Sequence, residues 1–337
     1  MSVTREHLIH SFLAAAGWAD AARVPMGADW STRRYERLTR PDGVKAILMD
    51  AAGDGAGQVP PFVRICGLLR DVDLSAPDIF AADQGQGLLL LEDFGDDSFA
   101  LLLDRGDDPW PLYRVATDVL SHLHDRFDNE AAPDIQRYDL SLFTRQVALF
   151  GDAYLGAAGN PLTAVGRRAL DDAWVTVLTR VLGIVPDSLL LRDYHPGNLM
   201  ALPDRAGVRG CGLLDVQDGG IGPVSYDLLS LLQDARRDVP DDVQAAMIDR
   251  YLAARPGLSR DDFLASYAVM GAMRHARILG RVAQLAAGGG KAKQLAFLTR
   301  VWGQFRAAIA HPLLSPLQSF TDQHLPPDGA VPHILGK

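Results

Sequence analysis

Residues 191–200 read LRDYHPGNLM, and this segment constrains the fold more than any other part of the chain. It sets Asp193 and Asn198 in a D-x-x-x-x-N spacing around the Pro196-Gly197 turn, directly after the apolar run Leu189-Leu190-Leu191. A second apolar run, Cys211-Gly212-Leu213-Leu214, ends on Asp215 in the same way. Apolar runs this short, bounded by turn residues, predict buried strands that each hand an aspartate to a loop. A lone Asp and Asn around a Pro-Gly step would need no explanation beyond turn formation. The second strand-aspartate element downstream argues for chemistry instead.

A carboxylate and an amide on one short loop can divide a reaction between them. The carboxylate of Asp193 orients and deprotonates a substrate hydroxyl. The amide oxygen of Asn198 holds a magnesium ion, and Asp215 holds magnesium at nucleotide phosphates. This is the working set of a protein-kinase-like phosphotransferase using ATP and Mg2+.

The rest of the chain supports a two-part organisation. Leu8, Ile9, Phe12, Leu13 and Ala16 recur at helical spacing and stop at Gly17. Residues 26–50 predict a hairpin turning at Pro41-Asp42-Gly43, with Ala46 to Met49 as a buried strand. A loop at 51–57, a helix at 61–70 and strands at 79–81 and 87–91 follow. Beyond residue 95 helical periodicity dominates, over 112–127, 143–154, 162–182, 226–235, 243–252, 263–286 and 295–309. Ser225 and Ser259 are the expected N-caps. The proline-bearing tail from Pro312 predicts irregular chain. The predicted fold class is α+β, with a small antiparallel-sheet lobe over residues 1–92 and a larger helical lobe over 93–337. A cleft between two lobes is a common ligand site.

Composition narrows the partners. The 337 residues hold 33 basic and 42 acidic side chains, for a net charge of -9, which disfavours nonspecific nucleic-acid or anionic-membrane binding. No apolar stretch reaches the about 18 residues of a membrane span. His7 and His10 interrupt what would be the apolar core of a secretion signal. Cys66 and Cys211 are too few for a disulfide framework. These features predict a cytoplasmic protein acting on a small molecule; they leave the oligomeric state open.

LRDYHPGN followed by LLDVQDGGIGPVSYDLLSLL resembles the aminoglycoside phosphotransferase and choline kinase superfamily, over nearly the whole chain. Within it, STRRYERL at 31–38, AILMDA at 46–51, LLLLEDFGDDSF at 88–99 and the late MRHARILGR look most like bacterial anomeric sugar kinases. Those enzymes phosphorylate N-acetylmuramate and N-acetylglucosamine in cell-wall recycling. The resemblance implies a two-lobed kinase-like fold, Asp193 as catalytic base and Asn198 and Asp215 as metal ligands. It makes Leu91, Glu92, Asp93 and Phe94 the hinge that reads adenine, and Asp227 a brace for the catalytic loop. It also implies that His124 packs under that loop.

Three departures from the wider superfamily stand out. Leu191 replaces the usual histidine two residues before the catalytic aspartate. The usual third-strand lysine aligns near Met49, with Lys45 at the strand's start. The helix at 61–70 lacks the glutamate that would pair with such a lysine. The last two absences are coherent, because either charge alone would lack its partner. Phosphate binding then falls to Ser31 and Thr32, through hydroxyl and N–H groups, and to Arg33 or Arg34, of which strand alternation turns only one inward. Candidates for acceptor recognition are His195, Gln217, Asp218, Asp234, Arg236, Arg237, Arg274 and Arg277; an arginine would suit a lactyl carboxylate. The favoured acceptor is an N-acetylated amino sugar. The alternatives are an aminoglycoside, choline or homoserine, or a non-catalytic nucleotide-binding module.

Overall fold

The computed structural model describes residues 4–27, 33–288 and 293–336. The chain forms two compact units, Met1–Arg126 with Pro196–Gly219, and Phe127–His195 with Gly220–Lys337.

The first unit begins with helix α1 (Arg5–Ala15), capped by the Thr4 hydroxyl, which accepts from the His7 N–H at 3.3 Å. Then come β1 (Ala22–Pro25), β2 (Arg34–Thr39), β3 (Lys45–Asp50), α2 (Val59–Asp71), β4 (Ile79–Asp83), β5 (Leu88–Glu92), α3 (Phe99–Asp104) and α4 (Pro109–Arg126). The strands form one antiparallel sheet in the order β1-β2-β3-β5-β4. Ile9 and Leu13 of α1 pack with Trp18, Leu38, Ala46, Leu48, Leu88 and Leu90, so alternate residues of three strands bury one sheet face under α1. Leu89, Leu91 and Met49 are buried as well. A strand covered on both faces has no use for polar alternation, which explains the unbroken Leu88 to Leu91 run.

The β2–β3 turn forms where the sequence predicts it. Gly43 takes a φ of 85°, and the Asp42 carboxylate accepts the Val44 N–H at 3.1 Å. Strand β1 was not expected. It is a short edge strand, mostly exposed, so it carries no burial pattern to read. Arg23 within it pairs with Glu36 at 2.6 Å and with Glu6, and charge on an edge discourages pairing with another chain.

A two-strand ladder, Leu199–Ala201 against Cys211–Leu213, completes this unit. It is stitched to the stretch after β5 by Ala201 N–H to the Asp97 carbonyl at 2.8 Å. Gly212 is bare for a reason: a Cβ there would lie 2.8 Å from the Phe94 ring. Arg205 stacks over the other side of this neighbourhood, 5.3 Å from the Phe94 centroid, and pairs with Glu92.

The second unit contains α5 (Leu140–Leu149), α6 (Ala164–Val181), α7 (Ser225–Leu232), α8 (Asp241–Ala254), α9 (Arg260–Ala287), α10 (Leu298–Ile309), α11 (Ser315–His324) and α12 (Val331–Ile334). Its ladder pairs Asp187–Leu190 with Gly220–Pro223. Helix α9 is the spine, and at Gly280 it approaches the end of α5 so closely that a Cβ would meet the Leu149 carbonyl carbon at 2.4 Å.

Two expectations fail here. Ser259 caps α9, accepting from the Asp262 N–H at 3.3 Å, but Ser225 lies inside α7 and its hydroxyl bonds Ser266 at 2.7 Å. The tail from Pro312 is helical rather than irregular. Pro316 stands in the first turn of α11, where its missing N–H is harmless, and Leu317, Phe320 and Thr321 are buried at helical spacing. Pro316 and Pro332 thus stand at helix starts, while Pro326 and Pro327 lie in the turn between the last two helices.

Candidate active site

The second unit holds the carboxylate end of the LRDYHPGN loop. Leu190 ends a ladder strand, and the backbone then turns sharply at Arg192, with a φ of 69°. A non-glycine residue in the left-handed region needs support from its surroundings. Asp227 supplies it from the first turn of α7, accepting the Leu191 N–H at 2.5 Å and the Arg192 N–H at 2.9 Å. Ser230, three residues along the same helix, donates to the Arg192 carbonyl at 3.4 Å. The next residue is Asp193. Its N–H bonds the Leu191 carbonyl at 2.8 Å, which closes the turn and fixes where the side chain starts.

Charge around this turn is organised. Burial pushes the Asp193 carboxyl up, but Arg277, Arg192 and Arg274, together with His195, outweigh it and hold the group below the usual carboxylate range. Asp227 goes the other way: complete burial, with Asp193 beside it, lifts it to about 7 against the pull of its two backbone N–H donors. His195 is 5% exposed, and burial with the positive charge of Arg236 pushes it down to about 4. It is a neutral imidazole at neutral pH. Asp234 is buried and occupied by Arg236 at 3.5 Å and Arg237 at 3.9 Å.

His275, on α9, is fully buried with Nε2 2.7 Å from the Gln233 amide oxygen. Burial and the adjacent Arg274 push it down to about 3 from 6.5. A histidine with a lowered folded-state pKa contributes stability above 6.5 and loses it as pH falls towards the folded value. Asp227 opposes this, since a carboxyl raised to about 7 favours the folded state more as pH falls through that value. His275→Gln removes one acid-sensitive group. Its urea-unfolding stability should fall less than that of the parent between pH 6.5 and 5, by about 2 kcal/mol. An unaltered pH slope would mean that His275 protonates in place without cost.

The first unit holds the other half of the motif. Asn198 precedes the Leu199–Ala201 strand, and its carbonyl accepts the Leu214 N–H at 2.9 Å. That bond sets Asn198 beside the residue before Asp215. Asp215 itself has a φ of 58°, again in the left-handed region. Arg33 reaches it: Nη2 lies 2.5 Å from Asp215 Oδ1, and Nη1 donates to the Gln217 amide oxygen at 2.9 Å. Gln217 closes the triangle by donating to Asp215 Oδ1 at 3.0 Å. Arg33 is 6% exposed, whereas Arg34, opposite Asp50 in the ladder, is exposed. Of the alternating pair, Arg33 is therefore the inward residue.

The lysine question is answered in the same unit. Met49 is 1% exposed, within the sheet, and Lys45 is exposed at the start of β3. Helix α2 carries no glutamate. Ser31 and Thr32 lie outside the described residues. In the segment expected to read adenine, Leu91 is inside the sheet and the Glu92 N–H is taken by the Asp78 carbonyl at 2.8 Å. The first main-chain groups past the sheet belong to Asp93 and Phe94. The Asp93 carboxylate is pinned by Arg37 at 2.7 Å and by the Gly95 N–H at 2.9 Å. His124 is buried near the end of α4, and Asp218 is half-buried beside Gln217 in the chain.

Of the acceptor candidates, Gln217 and Asp218 fall with Arg33 and Asp215 in the first unit, whereas His195, Asp234, Arg236, Arg237, Arg274 and Arg277 fall in the second. Arg192 was missed. It stands immediately before Asp193 in the sequence, and that adjacency to a candidate base was the available signal.

A metal or nucleotide bound here has to match these donors. Asp215 and Asn198 offer hard oxygens, suited to magnesium, which keeps waters and phosphate oxygens as its other ligands. The Asp215 side chain is 36% exposed, so it can take such a ligand in addition to Arg33.

Residues 23–264 match the model of the APH phosphotransferase enzyme family. The chain is 35% identical to an N-acetylmuramate/N-acetylglucosamine kinase from Caulobacter vibrioides, over 97% of this chain and 98% of that one. It is 31% identical to an enzyme of the same name from Pseudomonas aeruginosa, over 88% and 87% of the two chains. A choline kinase from Streptococcus pneumoniae shares the fold, with a TM-score of 0.59 at 12% identity, over 93% of this chain and 99% of that one. That likeness extends to proteins of quite different acceptors, as expected when one scaffold carries many pockets. The chain thus belongs to the phosphotransferase enzyme family, with a protein-kinase-like fold, and is an enzyme of the kinase type that uses ATP.

Proposed function

We propose that this enzyme transfers the γ-phosphate of ATP to the anomeric hydroxyl of N-acetylmuramate and N-acetylglucosamine. The observation that carries the acceptor is the full-length similarity to the Caulobacter vibrioides kinase of that name. The charge around Asp193 agrees with it. Arg192, Arg274 and Arg277 act on that carboxylate, and such surroundings disfavour cationic acceptors such as aminoglycosides or choline.

In this reading Asp193 accepts the proton of the sugar hydroxyl. An ionised carboxylate is needed for that, and the three arginines keep it ionised. The Asp227 brace fixes the turn that carries it, so the base is positioned before the acceptor arrives. Asn198 and Asp215 hold magnesium, which, when bound, neutralises charge on the phosphate oxygens. Arg33 sets the position of Asp215 and contributes a planar cation to the phosphates. Asp93 and Phe94 offer main-chain groups to adenine. The lobe boundary near residue 92 remains part of this reading, as does a cytoplasmic location, where ATP and recovered cell-wall sugars meet. No helix among the described residues is long and apolar enough to cross a membrane.

The test is ADP release with ATP and magnesium against N-acetylmuramate, N-acetylglucosamine, glucosamine, kanamycin, choline and homoserine. Turnover confined to the two N-acetyl sugars, with loss of the reducing end in the product, is the expected result. Turnover of kanamycin or choline but not of the sugars would discard the acceptor.

A further inference from the structure

Arg274 is a buried guanidinium with idle N–H donors. It is 2% exposed, and its Nε and Nη1 reach no hydrogen-bond acceptor. The helix that carries it is firmly placed. Ser266 of α9 bonds Ser225 of α7 at 2.7 Å, and His275 bonds Gln233 just past α7 at 2.7 Å. Between those ties, Gly271 lets the helices approach until a Cβ would lie 3.3 Å from a Leu229 methyl. Arg274 is therefore held against α7, the helix whose Asp227 grips the backbone in front of Asp193.

Positive charge gathers around Asp193. Arg192, Arg274 and Arg277 all act on Asp193. Asp227 is lifted to about 7, so it carries only part of a negative charge at neutral pH. Asp234 is already taken by Arg236 and Arg237. Asp193 is thus a carboxylate on which Arg274 acts, while two nitrogens of that guanidinium stay idle. A buried cation with idle N–H donors is costly in a protein interior unless a further group completes it. The group that best fits a planar fork of N–H donors is another carboxylate or a phosphate.

We propose that Arg274, with Arg277 one turn further on the same helix face, binds a carboxylate carried by the acceptor, so that the enzyme favours the acidic amino sugar over its neutral counterpart. This rests on the amino-sugar reading above. Of the two sugars, N-acetylmuramate bears a lactyl carboxylate and N-acetylglucosamine bears none. The transferred phosphoryl group is the other anion in the reaction, but it is common to every acceptor and would not discriminate between them.

The experiment compares N-acetylmuramate with its lactyl carboxamide, which has nearly the same shape and no charge, and with N-acetylglucosamine. In the parent enzyme the acid should exceed the amide in kcat/KM by about tenfold or more, the size expected of a charge-assisted bidentate contact, and the difference should lie in KM. Calorimetric binding of acid and amide should show the same ratio. In Arg274→Met the ratio should collapse towards one, and in Arg274→Lys it should recover in part. Equal handling of acid and amide by the parent enzyme overturns the proposal without needing any variant to fold. An Arg274→Met enzyme that loses both acceptors alike also overturns it, and assigns Arg274 to the phosphoryl group or to the fold. If the parent turns over none of the three sugars, the amino-sugar reading itself fails, and this proposal with it.

Discussion

Asp193→Asn should lower kcat by about 10³-fold on the preferred acceptor, within the range set by loss of a positioned general base. The amide keeps the shape and can still accept a hydrogen bond from the sugar hydroxyl, so KM should change little. What it cannot do is take the proton. The turn beneath it is held by Asp227 through main-chain N–H groups, not by Asp193, so the backbone should survive the change. Removing a carboxylate on which Arg192, Arg274 and Arg277 act takes away an attraction these cations have in the folded state, however, and the melting temperature should fall. Activity is therefore compared well below the melting transition, beside ADP affinity measured by calorimetry. A kcat within tenfold of the parent, with ADP affinity intact, would remove Asp193 from the chemistry.

Arg33→Met should weaken binding of the magnesium nucleotide by about 10- to 100-fold, the usual cost of deleting one member of a buried charged pair. The loss has two sources. The phosphates lose a planar cation, and Asp215 loses the guanidinium and, indirectly, the Gln217 amide that fix its rotamer. Arg33→Lys should recover little, because an ammonium cannot span both Asp215 and Gln217 as the fork does. Arg34→Met is the contrast: its side chain is exposed, and ADP affinity should stay within about twofold. Calorimetric titration of ADP with and without magnesium reads the effect without relying on turnover. Equal losses in the Arg33 and Arg34 variants would undo the distinction.

Much of this site is local in sequence, and that is why it could be read there. Asp193, Pro196, Gly197 and Asn198 lie within one loop, and the Pro-Gly step and the apolar run before it dictate a strand followed by a tight turn. The Leu88 to Leu91 run signals a central strand because burial on both faces removes alternation. Asp227 at the head of a helix was legible as a brace through resemblance. Its two main-chain partners, though, sit 35 and 36 positions earlier and required the folded chain.

Where the reading failed, the signal was weak or pointed two ways. The exposed edge strand β1 has no periodicity to detect. Ser225 has the right chemistry for an N-cap, but helix α7 begins one step earlier than capping would require, and a buried hydroxyl finds Ser266 instead. In the tail, proline signals a break by composition, although at a first helical turn it is a starter.

The sequence by itself determined the alternation that turns one of Arg33 and Arg34 inward, the two strand-aspartate elements and the helical periodicity after residue 95. These depend on neighbours a few positions apart, which the chain's own geometry brings together. Only the tertiary structure decided that the inward residue is Arg33, that it meets Asp215 and Gln217, and that Nε and Nη1 of Arg274 are buried without an acceptor. Those facts join side chains distant along the chain, or record the lack of such a meeting, and charge and burial at that range are set by packing rather than by local pattern.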